Sequence, residues 1–131
     1  MHKTLTDSVP IEEPDGSPAG LSSDQQDALR ALGYMYLQTG QKYKALTLFE
    51  ALHHLLPDDH SIALSLIYSR QVLGHYQAAL DLAESLLAET IEDSHIAPLH
   101  LLCAHALQGQ GRSTEARLQL LSHQAAKGNP P

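Results

Sequence analysis

Apolar residues recur along this chain in short runs with helical spacing, interrupted by glycine, proline and charged breaks. Leu29, Leu32, Met35 and Tyr36 stand at i, i+3, i+6 and i+7, one face of a helix. A start signal precedes them: Ser22 or Ser23, with Gln25 or Gln26 three residues on, can form a capping box. Gly40 stops this helix. The second carries Ala45, Leu48, Phe49 and Leu52 on one side and stops at Pro57-Asp58-Asp59. His60 to Leu73 predicts a third helix, ended by Gly74. Tyr76 to Glu89 predicts a fourth, with Ala79, Leu82, Ala83, Leu86 and Leu87 apolar. After a polar connection over 90–95, Ala97 to Gln108 and Ser113 to Gln124 form a last pair around Gly109-Gln110-Gly111. Apolar–polar alternation of strand period is nowhere sustained. The expectation is an all-α fold of six helices in three hairpins.

The hairpins repeat. Gly40 and Gly74 are 34 residues apart, as are Ala45 and Ala79. Gly111 and Ala116 keep the Gly-to-Ala spacing of five but lie 37 further on, and an enlarged turn at 90–95 absorbs the extra three. A period of 34 with two helices per unit resembles the tetratricopeptide repeat. In the first unit Leu32-Gly33, Tyr36, Ala45, Phe49 and Pro57 stand at that family's spacing. Gly33 and Ala45 mark the place where two helices cross closely, and Tyr36 and Phe49 fill the space between hairpins. The second unit departs: Ile67 falls where Gly33 stood and Arg70 where Tyr36 stood. A bulky residue at the crossing predicts a wider hairpin or a local shift. The third unit has Ala104, Leu107, Ala116 and Leu120 at the matching places, without aromatics.

The resemblance implies three tetratricopeptide-type hairpins stacked as a short right-handed solenoid over 21–126, with repeats at about 26–59, 60–96 and 97–130. Residues 1–20 hold three of the seven prolines and four acids against one lysine, which predicts a disordered tail. Residues 127–131, Lys-Gly-Asn-Pro-Pro, are expected to fray. Three units are about the practical minimum for this architecture, because each buries its apolar face only against a neighbour.

Composition narrows the function. Hydrophobic residues make up 43% of the chain, enough for a packed core, while the formal net charge of −7 argues against a nucleic-acid or anionic-lipid surface. No run of apolar residues is long enough to span a membrane, and the N-terminus lacks the apolar stretch of a signal peptide. The single cysteine, Cys103, cannot form an internal disulfide and lies in an apolar helical run, where packing is the expected role. These features predict a cytoplasmic protein.

No arrangement of catalytic residues stands out. His53 and His54 are adjacent and diverge by roughly 100° on a helix, and His100 and His105 also leave one face. No His-Glu-x-x-His, Cys-x-x-Cys or glycine-rich phosphate loop occurs. Asp58-Asp59 reads as a helix start, and Ser8, Ser65 and Ser113 have no identifiable His–carboxylate partner. Neither enzyme activity nor a metal or cofactor is expected.

A tetratricopeptide array does offer a concave face, lined by the first helix of each pair. By this resemblance the groove positions are Arg30, Tyr34, Leu37 and Gln38 in the first unit. In the second they are Leu64, Tyr68, Gln71 and Val72, and in the third Leu101, His105 and Gln108. Tyr34, Tyr68 and His105 would form a column of flat amphipathic side chains. Leu37, Leu64 and Leu101 would form apolar pockets, and Gln38, Gln71 and Gln108 would hydrogen-bond a peptide backbone. Tyr68 can equally belong to the core, since its unit departs in register. The Lys and Asn set with which some tetratricopeptide modules hold a C-terminal carboxylate is absent.

A closer similarity runs through Phe49-Glu50-Ala51-Leu52 and the stretch Arg70-Gln71-Val72-Leu73-Gly74-His75-Tyr76-Gln77-Ala78-Ala79. Over residues 24–125 the chain resembles the small tetratricopeptide chaperones of bacterial type III secretion. That resemblance implies a cytoplasmic, ATP-independent chaperone without cofactors. Its client would be a secreted protein: an early export component, a needle subunit or a translocator. A generic adaptor that joins folded proteins, or that self-associates as a homodimer through its first or last helix, is the alternative.

Overall fold

The computed structural model describes residues 20–89 and 93–126, and the expectations for 1–19 and 127–131 lie outside them. Six helices follow in order: α1 (Ser23–Gln38), α2 (Lys42–Leu55), α3 (His60–Val72), α4 (Tyr76–Leu87), α5 (Asp93–Gly109) and α6 (Ser113–Ala126). Among the described residues there is no strand, and the fold is all-α. Consecutive helices pack on one another, and α3 also packs on α5. The result is a stack of three helical hairpins.

The helix boundaries have local causes. Ser22 caps α1 with a full capping box: its hydroxyl accepts from the Gln25 N–H at 3.1 Å, and its own N–H donates to Gln25 Oε1 at 2.8 Å. Asp59 caps α3, accepting from the Ile62 N–H at 3.1 Å. The expectation that Asp58-Asp59 starts a helix is thereby met.

The three hairpin turns share one geometry. Gly40, Gly74 and Gly111 all have positive φ, 79°, 80° and 77°, which is natural only for glycine. Around each, the same two bonds close the helix end. The glycine N–H donates to the carbonyl three residues back: Leu37, Gln71 or Gln108. The next N–H reaches the carbonyl five back: Gln41 to Tyr36, His75 to Arg70 and Arg112 to Leu107, at 2.8, 2.8 and 2.9 Å. This is the Schellman arrangement. It recurs at the spacings that mark the repeat in the sequence.

One boundary differs from expectation. Helix α5 begins at Asp93, one turn before Ala97, and runs through Pro98. A proline this close to a helix start removes an amide hydrogen bond without ending the helix. Residues 90–92 of the expected polar connection lie outside the description. Gly109, read as part of the turn, is the last residue of α5. A Cβ there would meet the Tyr76 ring at 2.5 Å, so its small size admits an aromatic from α4.

The core forms two adjoining clusters. One gathers Ala45, Leu46, Phe49, Leu52, Leu56, Ile62 and Leu66 from α2 and α3 and the turn between them. The other gathers residues of α3, α4, α5 and α6, among them Ile67, Ala83, Leu99, Cys103 and Leu107. Leu82 packs against both.

The bulky Ile67 of the second hairpin is buried with a small residue at the place of Phe49. Gly33 of the first unit faces the Phe49 ring, and a Cβ at Gly33 would lie 2.7 and 2.9 Å from Cε2 and Cε1. In the second unit Ile67 and Ala83 occupy the equivalent two places, both fully buried in one cluster. Large and small have changed sides: glycine with phenylalanine in one hairpin, isoleucine with alanine in the next. The filled volume is thus shared differently between the two helices of each hairpin.

Candidate peptide-binding cleft

The inner helices α1 and α3 border a cleft of about 540 Å³, lined by Tyr34, Leu37, Gln38, Ser61, Leu64, Ser65 and Tyr68. Five of these belong to the expected groove set. Tyr68 is 47% exposed and lines the cleft, so its side chain is not part of the core. Tyr34 is 42% exposed and leans on the buried Phe49 ring, with centroids 5.6 Å apart at 52°. Phe49 in turn is seated on Gly33. The rim tyrosine is thus held by the same close approach that closes the first hairpin.

Polar bridges span the two helices beneath the cleft. The Ser65 hydroxyl donates to the Ser61 carbonyl at 3.1 Å, so its single proton is committed. The Tyr34 hydroxyl, 2.8 Å from Ser65 Oγ, is therefore the donor of that pair. Arg30 donates from Nη1 to Ser61 Oγ at 2.8 Å and from Nη2 to Asp59 Oδ2 at 3.3 Å. Asp59 is also the α3 cap, so one carboxylate fixes the start of α3 and ties it to α1. Arg30 lies beside the cleft as a strut and does not line it. Ser61 and Ser65 were not among the expected site residues. Their signal was small polar residues at i and i+4 on the inner face of a helix otherwise rich in branched aliphatics.

The expected groove residues of the third unit are not in the lining of this cleft. Leu101, His105 and Gln108 stand on α5, partly or well exposed, but do not line the cleft. α3 packs directly on α5. Gln71, expected to offer its amide to a client, is 8% exposed and donates Nε2 to the Leu102 carbonyl of α5. Val72 is half-buried and does not line the cleft either. The amides expected to bind a backbone therefore reduce, within the cleft, to Gln38.

A second hollow, of about 470 Å³, lies between α1 and α2 and is lined by Leu32, Tyr36, Tyr43, Lys44, Thr47, Leu48 and Ala51. Lys44 Nζ sits 5.8 Å from the centroid of the Tyr36 ring, a cation–π contact. On α6, Leu118 and Leu121 are 59% and 58% exposed on the outer side.

Cys103 is fully buried, and burial, with the Glu84 charge adding, pushes its thiol up to about 12. Alkylation requires the thiolate and access to it. Iodoacetamide at mildly alkaline pH should therefore label the native protein roughly a hundredfold or more slowly than the denatured chain. Comparable rates would show that Cys103 is not held in the core. Among the described residues no group of three or more His, Cys, Asp or Glu side chains is arranged to hold a metal ion. No described helix is long and apolar enough to cross a membrane.

No protein-family model matches the chain. It is similar to the cytidylate kinase of Halalkalibacterium halodurans, with 36% identity over 64 residues, 49% of this chain. The chain spans 28% of that kinase's length, so the likeness is confined to a segment of each protein.

Proposed function

We propose that the protein is an ATP-independent cytoplasmic chaperone of the type III secretion kind, which keeps a secreted client soluble by taking one of its apolar segments into the α1–α3 cleft. The observation that carries this reading is the cleft itself: two half-exposed tyrosines over Leu37 and Leu64, with no charged side chain in the lining. Such a surface gains by covering apolar atoms of a partner. It offers aromatic anchors of the kind that dominate protein contacts. The likeness of residues 24–125 to the secretion chaperones supports the choice of client class.

Coexpression with candidate secreted proteins, followed by copurification, tests the reading. Tyr68→Asp places a charge at the exposed rim and leaves the core untouched. It should release the client at least about tenfold more readily, with an unchanged helical circular-dichroism spectrum. A client that stays bound to Tyr68→Asp would remove the cleft from the mechanism. A chain and a client that are each soluble alone and never coelute would end the chaperone reading.

A second reading, a generic adaptor or self-associating scaffold, is favoured by the exposed Leu118 and Leu121 on α6. Sedimentation of Leu118→Glu/Leu121→Glu beside the unaltered chain decides it. Loss of a dimer would support this reading, and an unchanged monomer would not.

A further inference from the structure

The charges around the cleft say which segments it accepts, on the client-binding reading above. α1 contains one basic residue, Arg30, and its charge is already met by Asp59. α3 also contains a single arginine, Arg70. It is directed away from the cleft, donating to the Ala78 carbonyl at 3.1 Å and lying 3.9 Å from Glu50 of α2. An acidic segment, or a chain end carrying its carboxylate, would meet no uncommitted cation on either cleft helix.

Exposed acids stand near the N-terminal ends of the two cleft helices. Asp27 is exposed and precedes Tyr34 by seven residues, two turns along the same face of α1 and about 10 Å away along the axis. Asp58 is exposed in the turn that leads into α3. Asp24, in the first turn of α1, is exposed as well; with Asp59 engaged by Arg30, these three acids make that end of the helix pair negative, within a chain whose net charge is −7. The polar groups inside the cleft are largely committed as well, since the Ser61 and Ser65 hydroxyls serve the bridges between helices.

From this charge pattern we infer that the cleft takes an internal segment of a partner protein in which one bulky aliphatic side chain is flanked by lysine or arginine. The aliphatic group enters between Tyr34 and Tyr68 against Leu37 and Leu64. The flanking cation lies toward the helix starts that carry Asp27 and Asp58. Opposite charge at a rim adds specificity and speeds association more than it adds affinity, and salt screens it.

The test uses three short, end-capped, fluorescein-labelled peptides with a central leucine, flanked by lysine, serine or glutamate, and fluorescence anisotropy on the full chain. The lysine peptide should bind about tenfold more tightly than the glutamate peptide, from two exposed pairs. That difference should shrink in high salt, and Asp27→Lys/Asp58→Lys should reverse the order. Tyr68→Asp should weaken all three. Equal binding of the three peptides, or a preference for glutamate, overturns the charge inference, while sensitivity to Tyr68→Asp would leave the client-binding reading standing. A lysine preference indifferent to Tyr68→Asp overturns it as well, because the attraction then lies elsewhere on the surface. If no peptide binds but a full-length client copurifies and is released by Tyr68→Asp, the segment chemistry is wrong and the client reading holds. If neither peptide nor client binds, both fall.

Discussion

Phe49→Ala should lower the free energy of unfolding by about 3–5 kcal/mol. Phe49 is fully buried, and it is the only phenylalanine in the chain. Its ring lies against the bare backbone face of Gly33, which has no side chain to swing into the space left behind. Tyr34 rests on the other side of the ring, and its hydroxyl is tied to Ser65, so it too is restrained from collapsing inward. A hole that cannot close places the loss toward the upper end of the range for such truncations. Urea unfolding followed by circular dichroism is the measurement, with the midpoint falling and the denaturant slope unchanged. Against a total stability of about 5–15 kcal/mol for an ordinary domain, the loss threatens folding at ambient temperature, so Phe49→Leu serves as a milder companion. A loss below about 1 kcal/mol would mean that the first hairpin relaxes around the gap.

Gly33→Ile should be the second most damaging change, and its damage should depend on Phe49. Even the first carbon of a side chain at 33 overlaps the ring, and an isoleucine adds three more. Overpacking of this kind costs about 1–3 kcal/mol, occasionally more, and the better helix propensity of isoleucine returns only a few tenths. The variant Gly33→Ile/Phe49→Ala imports the arrangement of the second hairpin, where Ile67 and Ala83 occupy the two places. It should be more stable than the sum of the single losses by roughly 0.5–3 kcal/mol, the range of coupling between touching residues. Strict additivity would show that the two hairpins do not exchange volume across the crossing.

The parts of this fold that were legible in the sequence are those with local causes. Ser22, Asp59 and the three turn glycines act within a few residues of themselves, so their types and spacing already carry their roles. The resemblance to tetratricopeptide repeats puts Tyr34, Leu37, Gln38, Leu64 and Tyr68 on one inner face, and these five line the cleft. What escaped is relational. Ile67 reads as a misfit when taken alone, and its compensation sits sixteen positions later at Ala83. Gln71 occupies a groove position by analogy with Gln38, yet the close packing of α3 on α5 turns it into a buried tie to Leu102. The third-unit positions come from the resemblance alone; α1 and α3 are joined by polar bridges beside a hollow, while α3 and α5 pack directly.

Leu120 stands where Phe49 and Ala83 stand in their own units, yet it is 43% exposed, because no described helix stacks beyond α6. The only buried residue of α6 is Ala116. α1 likewise buries only Gly33, so burial is thinnest in the two terminal helices of the array. Amide protons of the first and sixth helices should exchange with solvent well before those of the third, and the stack should open from its terminal helices inward.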